Sequence, residues 1–312
     1  MCNMVLSERT RRDIDVQVSK ILRGLGNPTP PLVLGDVRAL LRLDLGYYSS
    51  QHHGPLAETI SKLRIGIHQV LRRPTLLVDA VRKLSLKALW LPDRKKILID
   101  AEEPPLKHRW NEAHEIGHSI IDWHKAFLHG DQERTLSPDC HYRIEAEANY
   151  AAGRLLFLQD RFTNELKAAR IDFKALKSLK RTFGNTLTAT LWRAVEHSDV
   201  PALGIVGVHP HYPPADFNRT QACRHFIRSP LFAIQFSHIT ELDLFEQIQS
   251  YCRYTKRGPL GEAEVVIADN AGEEHVFVFE TFNNSYDTLT LGIHRRQRPA
   301  IISASDSAQY KR

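Results

Sequence analysis

His114-Glu115-Ile116-Gly117-His118 constrains this chain more than any other stretch. The histidines are about one helical turn apart, so on a helix both project from one face and can share a metal ion. Glu115 lies about 100° further round, where it can take a proton from a water that the metal activates. Zinc is held by neutral imidazoles at about 2.0–2.1 Å and, for hydrolysis, keeps one coordination position open. Five residues of this pattern also arise by chance on surface helices, so the flanks matter. No proline interrupts Trp110 to Phe127, and Trp110, Ala113, Gly117, Ile120, Ile121 and Trp123 suit a largely buried helix. Two histidines and a glutamate on such a helix must be paired or bind metal, because unpaired burial costs several kcal/mol. Gly117 costs about 1 kcal/mol inside a helix, which points to a second backbone passing close by.

A third protein ligand is needed, and the chain offers two sources. His124 completes the spacing H-E-x-x-H-x-x-x-x-x-H, but Ile121 stands where metzincins place the glycine that turns the chain back to the metal. Continuing on the helix, His124 would sit roughly one and a half turns beyond His118, which suits an outer or surface histidine better than a ligand. The other source is the helical run Arg143 to Leu156. Glu145 and Asn149 share a face there, so one can bind metal while the other orients a zinc histidine from behind. Glu147 points away from that pair. Glu145 also suits a solvated carboxylate at a helix start, favoured by the macrodipole.

Taken together, Arg109-Trp110-Asn111-Glu112-Ala113-His114-Glu115-Ile116-Gly117-His118 and Glu145-Ala146-Glu147-Ala148-Asn149-Tyr150-Ala151-Ala152-Gly153-Arg154-Leu155-Leu156 resemble the ImmA/IrrE family of zinc metallopeptidases. Leu86 to Leu91 and Lys96 to Asp100 resemble that family's β-hairpin before the active helix. Leu179 to Gly184 and Leu187 to Arg193 resemble its closing helix pair, so the likeness spans roughly residues 30 to 197. The resemblance implies Zn2+ held by His114, His118 and Glu145, with Glu115 as general base and Asn149 behind a ligand. It also implies a protein substrate, a helix-turn-helix repressor or an antitoxin. Ile116 replaces the family's leucine and Ala151 its phenylalanine, with Tyr150 as a possible source of the missing bulk. An oxyanion donor could be His141, Tyr142 or Tyr150, and the sequence picks none.

Composition sets the outer limits. A chain of 312 residues with 42% apolar content can bury one large core or two ordinary ones. Forty-two Lys and Arg against 36 Asp and Glu leave +6, too mild to argue for nucleic acid. Cys2, Cys140, Cys223 and Cys252 form no C-x-x-C pair, so neither a disulfide framework nor a zinc ribbon is expected. The polar N-terminus lacks a signal-peptide core, and no run approaches the roughly 18 apolar residues of a membrane span, which suggests a cytoplasmic protein without membrane contact.

Along the chain, Ser7 to Leu25 reads as an amphipathic helix with Ile14, Val16, Val18, Ile21 and Leu22 apolar, followed by a proline-rich link. Asp36 to Leu43 is a short helix, Leu56 to Val81 holds more helix broken at Pro74, and Lys125 to Tyr142 reads as a loop. From 201 to 312 the pattern turns to strands at 203–208, 231–236, 263–268, 276–282 and 288–294, with a helix at 242–254. His52-His53 and His209-Pro210-His211 read as exposed loop. The expectation is an α+β chain: an N-terminal helix and linker over 1–29, a mostly helical metallopeptidase domain with a small sheet over 30–200, and a strand-rich regulatory or substrate-recruiting module over 201–312. Two other classes stay open. Ala175 to Glu196 could pass for a helix-turn-helix in a DNA-binding regulator, although its second helix offers only Arg193 to a groove. A non-catalytic zinc scaffold would keep the ligands but need no Glu115.

Overall fold

The computed structural model describes residues 6–48, 88–91, 95–124, 138–215, 217–218 and 222–298. The helix expected at 56–81, His52-His53 and residues 125–137 of the expected loop lie outside them. The chain divides into two units, 1–165 with 181–186, and 166–180 with 187–312.

In the first unit, α1 (Glu8–Gly24) starts at Ser7, whose hydroxyl accepts from the Thr10 amide. Its apolar face buries Ile14, Val18, Ile21 and Leu22. Helix α2 (Leu34–Leu41) ends at Arg42, which takes a left-handed conformation. Strands β1 (Asp44–Tyr48), β2 (Ala88–Leu91) and β3 (Lys96–Asp100) form a sheet in the order β1-β3-β2. The β2–β3 pair is the expected antiparallel hairpin, and β1 adds a parallel strand on the other side of β3. Strand β1 escaped the sequence reading because Asp44-Leu45-Gly46 carries neither β-branched residues nor clear alternation. Central β3 buries Ile97, Leu98, Ile99 and Asp100, as a strand covered on both faces does.

Helix α3 (Pro105–Ile120) carries the H-E-x-x-H residues and packs against α4 (Pro138–Leu156). Helix α4 begins at Pro138, so the last residues of the expected loop are its first turn, where a proline fits because its missing N–H would be unbonded anyway. The two helices touch at Gly117. A Cβ there would stand 2.8 Å from the Ala148 carbonyl oxygen and 3.3 Å from the Ala151 Cβ, which accounts for the glycine. Ala148, Ala151 and Ala152 are fully buried. Ala151 therefore belongs to a small-residue contact in which a phenylalanine would not fit. Tyr150 does not replace that bulk: its hydroxyl donates to Asp15 on α1. Phe157, Phe162 and Phe183 stack edge-on or tilted behind α4, recruiting α5 (Asp160–Lys167) and the end of α6 (Phe173–Phe183).

In the second unit, β4 (Ala202–Gly207), β5 (Cys223–Arg228), β6 (Gly258–Ala268), β7 (Glu274–Asn283) and β8 (Thr288–Gln297) form an antiparallel sheet ordered β5-β4-β8-β7-β6. Leu203, Ile205, Phe232, Phe236, Leu244, Ile248, Phe277 and Phe279 form its core. The strand expected at 231–236 is instead a short helix, α8 (Pro230–Gln235). Ser229 caps it by accepting from the Phe232 amide, and Pro230 occupies its first turn; this Ser-Pro start signal outweighs the apolar run. Strand β5, with Arg224, His225 and Arg228 among its residues, is too polar to read as a strand from sequence. Helix α9 (Glu241–Tyr251) opens on a capping box between Thr240 and Asp243.

Helix α7 (Leu187–Glu196) buries Leu187, Thr190, Leu191, Arg193, Ala194 and Val195 and packs on β4 and β5. Arg193, the one base-reading candidate, is buried and paired with Glu196 at 3.2 Å. A recognition helix presents such residues outwards, so Arg193 is not placed to read a base. No helix among the described residues is long and apolar enough to cross a membrane. Replacing Gly117 by alanine should cost about 1–3 kcal/mol net of its helix-propensity gain, because α3 or α4 must shift. Urea unfolding of the metal-free protein measures it, and unchanged stability would show that the close approach is not needed.

Candidate metal centre

The turn of α3 that holds Gly117 also sets the positions of His114 and His118, whose Nε2 atoms lie 3.1 Å apart. Glu145, on the first half of α4, closes the group. Its Oε2 is 3.1 Å from His114 Nε2 and its Oε1 is 3.6 Å from His118 Nε2. Ligands at about 2.0–2.2 Å from a tetrahedral ion stand about 3.3–3.5 Å from one another, so this trio has the spacing of a metal site. His114 Nδ1 is 3.0 Å from Asn149 Oδ1, an acceptor, which leaves the His114 Nε2 lone pair directed at the other two groups.

Electrostatics point the same way. Burial pushes the His118 imidazole down to about 4, so it stays neutral, as a ligand must. Glu145 resists burial through its hydrogen bonds to His114 and His118 and lies below the usual carboxylate range, so it is ionised. Burial pulls His114 down, but the Glu145 bond and the charges of Glu115 and Glu145 outweigh it and leave it raised.

Glu115 is 6% exposed and accepts a hydrogen bond from the backbone N–H of Trp90 on β2. Burial raises its carboxyl to about 7, with the His114 charge opposing and the Glu145 charge adding. That value suits a group that takes and returns a proton near neutrality. Among the suggested oxyanion donors, Tyr142 is mostly exposed and Tyr150 is turned to Asp15; the His141 side chain lies outside the description.

His124 does not join the trio as a ligand, nor is it a surface residue. Helix α3 stops at Ile120, Ile121 adopts an extended conformation (φ −93°, ψ 103°), and the chain re-enters helical conformation at 122–124 with His124 against His118, fully buried. The two Nδ1 atoms are 3.0 Å apart, and His124 Nε2 is 2.9 Å from Glu147 Oε2. Glu147, though it points away from Glu145, is 1% exposed and also accepts from Trp123 Nε1 and Arg143 Nε. The sequence offers His124 as an outer histidine but hides its contact with Glu147, because a continued α3 helix would carry the ring away. The adjacent β-branched pair Ile120-Ile121 was the available signal for a stop.

Elsewhere, His209 and His211 are not the exposed pair expected: each Nε2 donates to a backbone carbonyl, Thr255 at 2.9 Å and Cys252 at 2.8 Å. Asp269, Glu273 and His275 also gather, but Asp269 accepts from the Ala271 and Glu273 amides and Glu273 accepts from Gln297. Those bonds shape the β6–β7 turn.

An H-E-x-x-H helix laid against a second helix bearing a converging carboxylate is the architecture of a metallopeptidase. Residues 70–194 match the family model Peptidase_M78, described as the IrrE N-terminal-like domain, so the chain carries a domain of the ImmA/IrrE metallopeptidase family. A solved structure of a Mycobacterium tuberculosis transcriptional regulator is similar, with TM-score 0.51 and 14% identity over 92% of this chain and 78% of that one. At that identity the likeness concerns the fold alone. No curated protein matches.

If His114, His118 and Glu145 hold an ion, purified wild type should contain one zinc per chain by elemental analysis. Glu145→Ala should weaken binding beyond the roughly 10–100-fold that loss of an outer partner costs. Equal zinc content and affinity in the folded variant would remove Glu145 from the ligand set.

Proposed function

We propose that this protein is a zinc-dependent endopeptidase that hydrolyses a peptide bond in a protein partner, a helix-turn-helix repressor or an antitoxin. The single observation that carries the catalytic part is Glu115, a buried carboxyl raised to about 7, held by the Trp90 amide beside a three-ligand cluster. A scaffold that only bound metal would have no use for such a group. A ligand set of two imidazoles and one carboxylate fits zinc and leaves a fourth position open. When bound, zinc supplies Lewis acidity to the attacking water and to the scissile carbonyl.

The chain's own residues do the rest. Glu115 accepts a proton from the water as its oxygen bonds to the carbonyl carbon. As the carbon–nitrogen bond breaks, Glu115 returns that proton to the leaving amine, giving a carboxylic acid and an amine; transfer of the water's second proton then leaves a carboxylate and an ammonium group. Asn149 fixes the His114 ring through its Nδ1, and the edge strand β2 fixes Glu115. The repressor or antitoxin substrate rests on the family, which acts on such partners. In this reading the 201–312 module recruits or regulates, and the protein works in the cytoplasm, where its substrates are. The DNA-binding alternative loses its support with the burial of Arg193.

Glu115→Gln should keep its zinc and lower the cleavage rate by about 10²–10⁴-fold. New peptide termini, read by mass spectrometry after incubating a cell lysate with zinc-loaded wild type, should be absent with the variant. Identical termini profiles for the two proteins would overturn the peptidase reading and leave a non-catalytic zinc-binding protein.

A further inference from the structure

Four residues that the proposed reaction does not use, His124, Glu147, Trp123 and Arg143, form a chain of hydrogen bonds behind the metal centre. His124 and Glu147 are 0% and 1% exposed, a costly place for two ionisable side chains unless every polar atom is matched. The matching limits where the protons can sit. Trp123 Nε1–H and Arg143 Nε–H both donate to Glu147, so its carboxylate is ionised and only accepts. His124 Nε2, 2.9 Å away, must therefore donate to it. With Nε2 engaged by Glu147, His124 presents Nδ1 to His118, and the two Nδ1 atoms lie 3.0 Å apart. Donation from His118 Nδ1 to that atom leaves the His118 lone pair on Nε2, the atom directed at His114 and Glu145.

From this geometry we infer that Glu147 and His124 are positioning residues, which set the tautomer and ring orientation of His118 so that its Nε2 is presented to the metal. The inference rests on the zinc reading of the same site. The two zinc histidines are thereby held by different means. His114 is fixed by the short amide of Asn149, and His118 by an imidazole backed by a carboxylate. Partners that orient a ligand and raise its basicity contribute to metal affinity although they never touch the ion. The bend at Ile121 serves this end, since it returns the ring of His124 to His118. Trp123 and Arg143 anchor the far end of the relay, from the same turn and from α4.

The test uses full-length protein and zinc itself. Zinc affinity is measured by competition with a chromophoric chelator for wild type, His124→Phe, Glu147→Gln and the double variant, with circular dichroism of the metal-free forms to establish folding. Phenylalanine keeps the ring and removes the acceptor. His124→Phe should weaken zinc about 10–100-fold and Glu147→Gln less. The double variant should be no weaker than His124→Phe alone, because Glu147 acts only through His124. A merely structural pair would lower stability but leave the affinity of the folded protein unchanged, and that result overturns the inference while the zinc site stands. If wild type takes up no zinc, the zinc reading itself fails. If His124→Phe does not fold, the ring protons of zinc-loaded wild type decide by two-bond 1H–15N correlation: His124 protonated on Nε2 supports the relay, and protonation on Nδ1 overturns it.

Discussion

The contact of α3 with α4 at Gly117 is the constraint on which the site depends. A missing side chain lets the Ala148 carbonyl approach within the space a Cβ would fill. Without that approach, the carboxylate of Glu145 could not stand within 3.1 Å of an imidazole on the neighbouring helix. The cost of a glycine in a helix, about 1 kcal/mol, is small beside the several kcal/mol of leaving buried histidines unmatched. Packing and chemistry are thus one arrangement: the small residues Ala148, Ala151 and Ala152 close the helices together, and the polar residues in the same turns meet as a consequence.

Burial and charge are balanced differently at each of the site's polar groups. Glu115 meets one backbone N–H and rises to about 7, whereas Glu145 meets two imidazoles and stays ionised. Two carboxylates of one small site are thereby shifted in opposite directions by their surroundings, which under the proposed function suits one to move a proton and the other to hold charge. Glu147 is a third carboxylate close by in sequence, and its three donors remove it from both tasks.

Much of the fold and the site is legible in the sequence. The spacing of His114, Glu115 and His118 is a property of helical periodicity, and the close approach at Gly117 follows from the cost of a glycine inside a buried helix. The β2–β3 hairpin, α1 and the strands β4, β6, β7 and β8 follow from apolar patterning. The hidden elements depend on contacts distant in sequence or on single backbone choices. The polar strand β5 is a strand because β4 offers it a partner. Residues 231–236 are apolar enough for either element, and the serine and proline before them decide for helix. His124 looks remote from the proposed metal ligands in sequence because one residue, Ile121, leaves the helical region, a bend to which only the β-branched pair Ile120-Ile121 points.

That bend has a consequence for how the sequence can vary. Loops ordinarily tolerate gained or lost residues, because their ends are fixed and their middles are free. The stretch from Ser119 to Trp123 joins two side chains that must face each other across 3.0 Å, and it has no slack. One residue added on the helical side would turn the downstream segment by about 100°, carrying the His124 ring away from His118. The short connection therefore behaves less as a linker than as a ruler, and a spacing that resembles a ligand motif measures instead the distance to a residue one step behind a ligand.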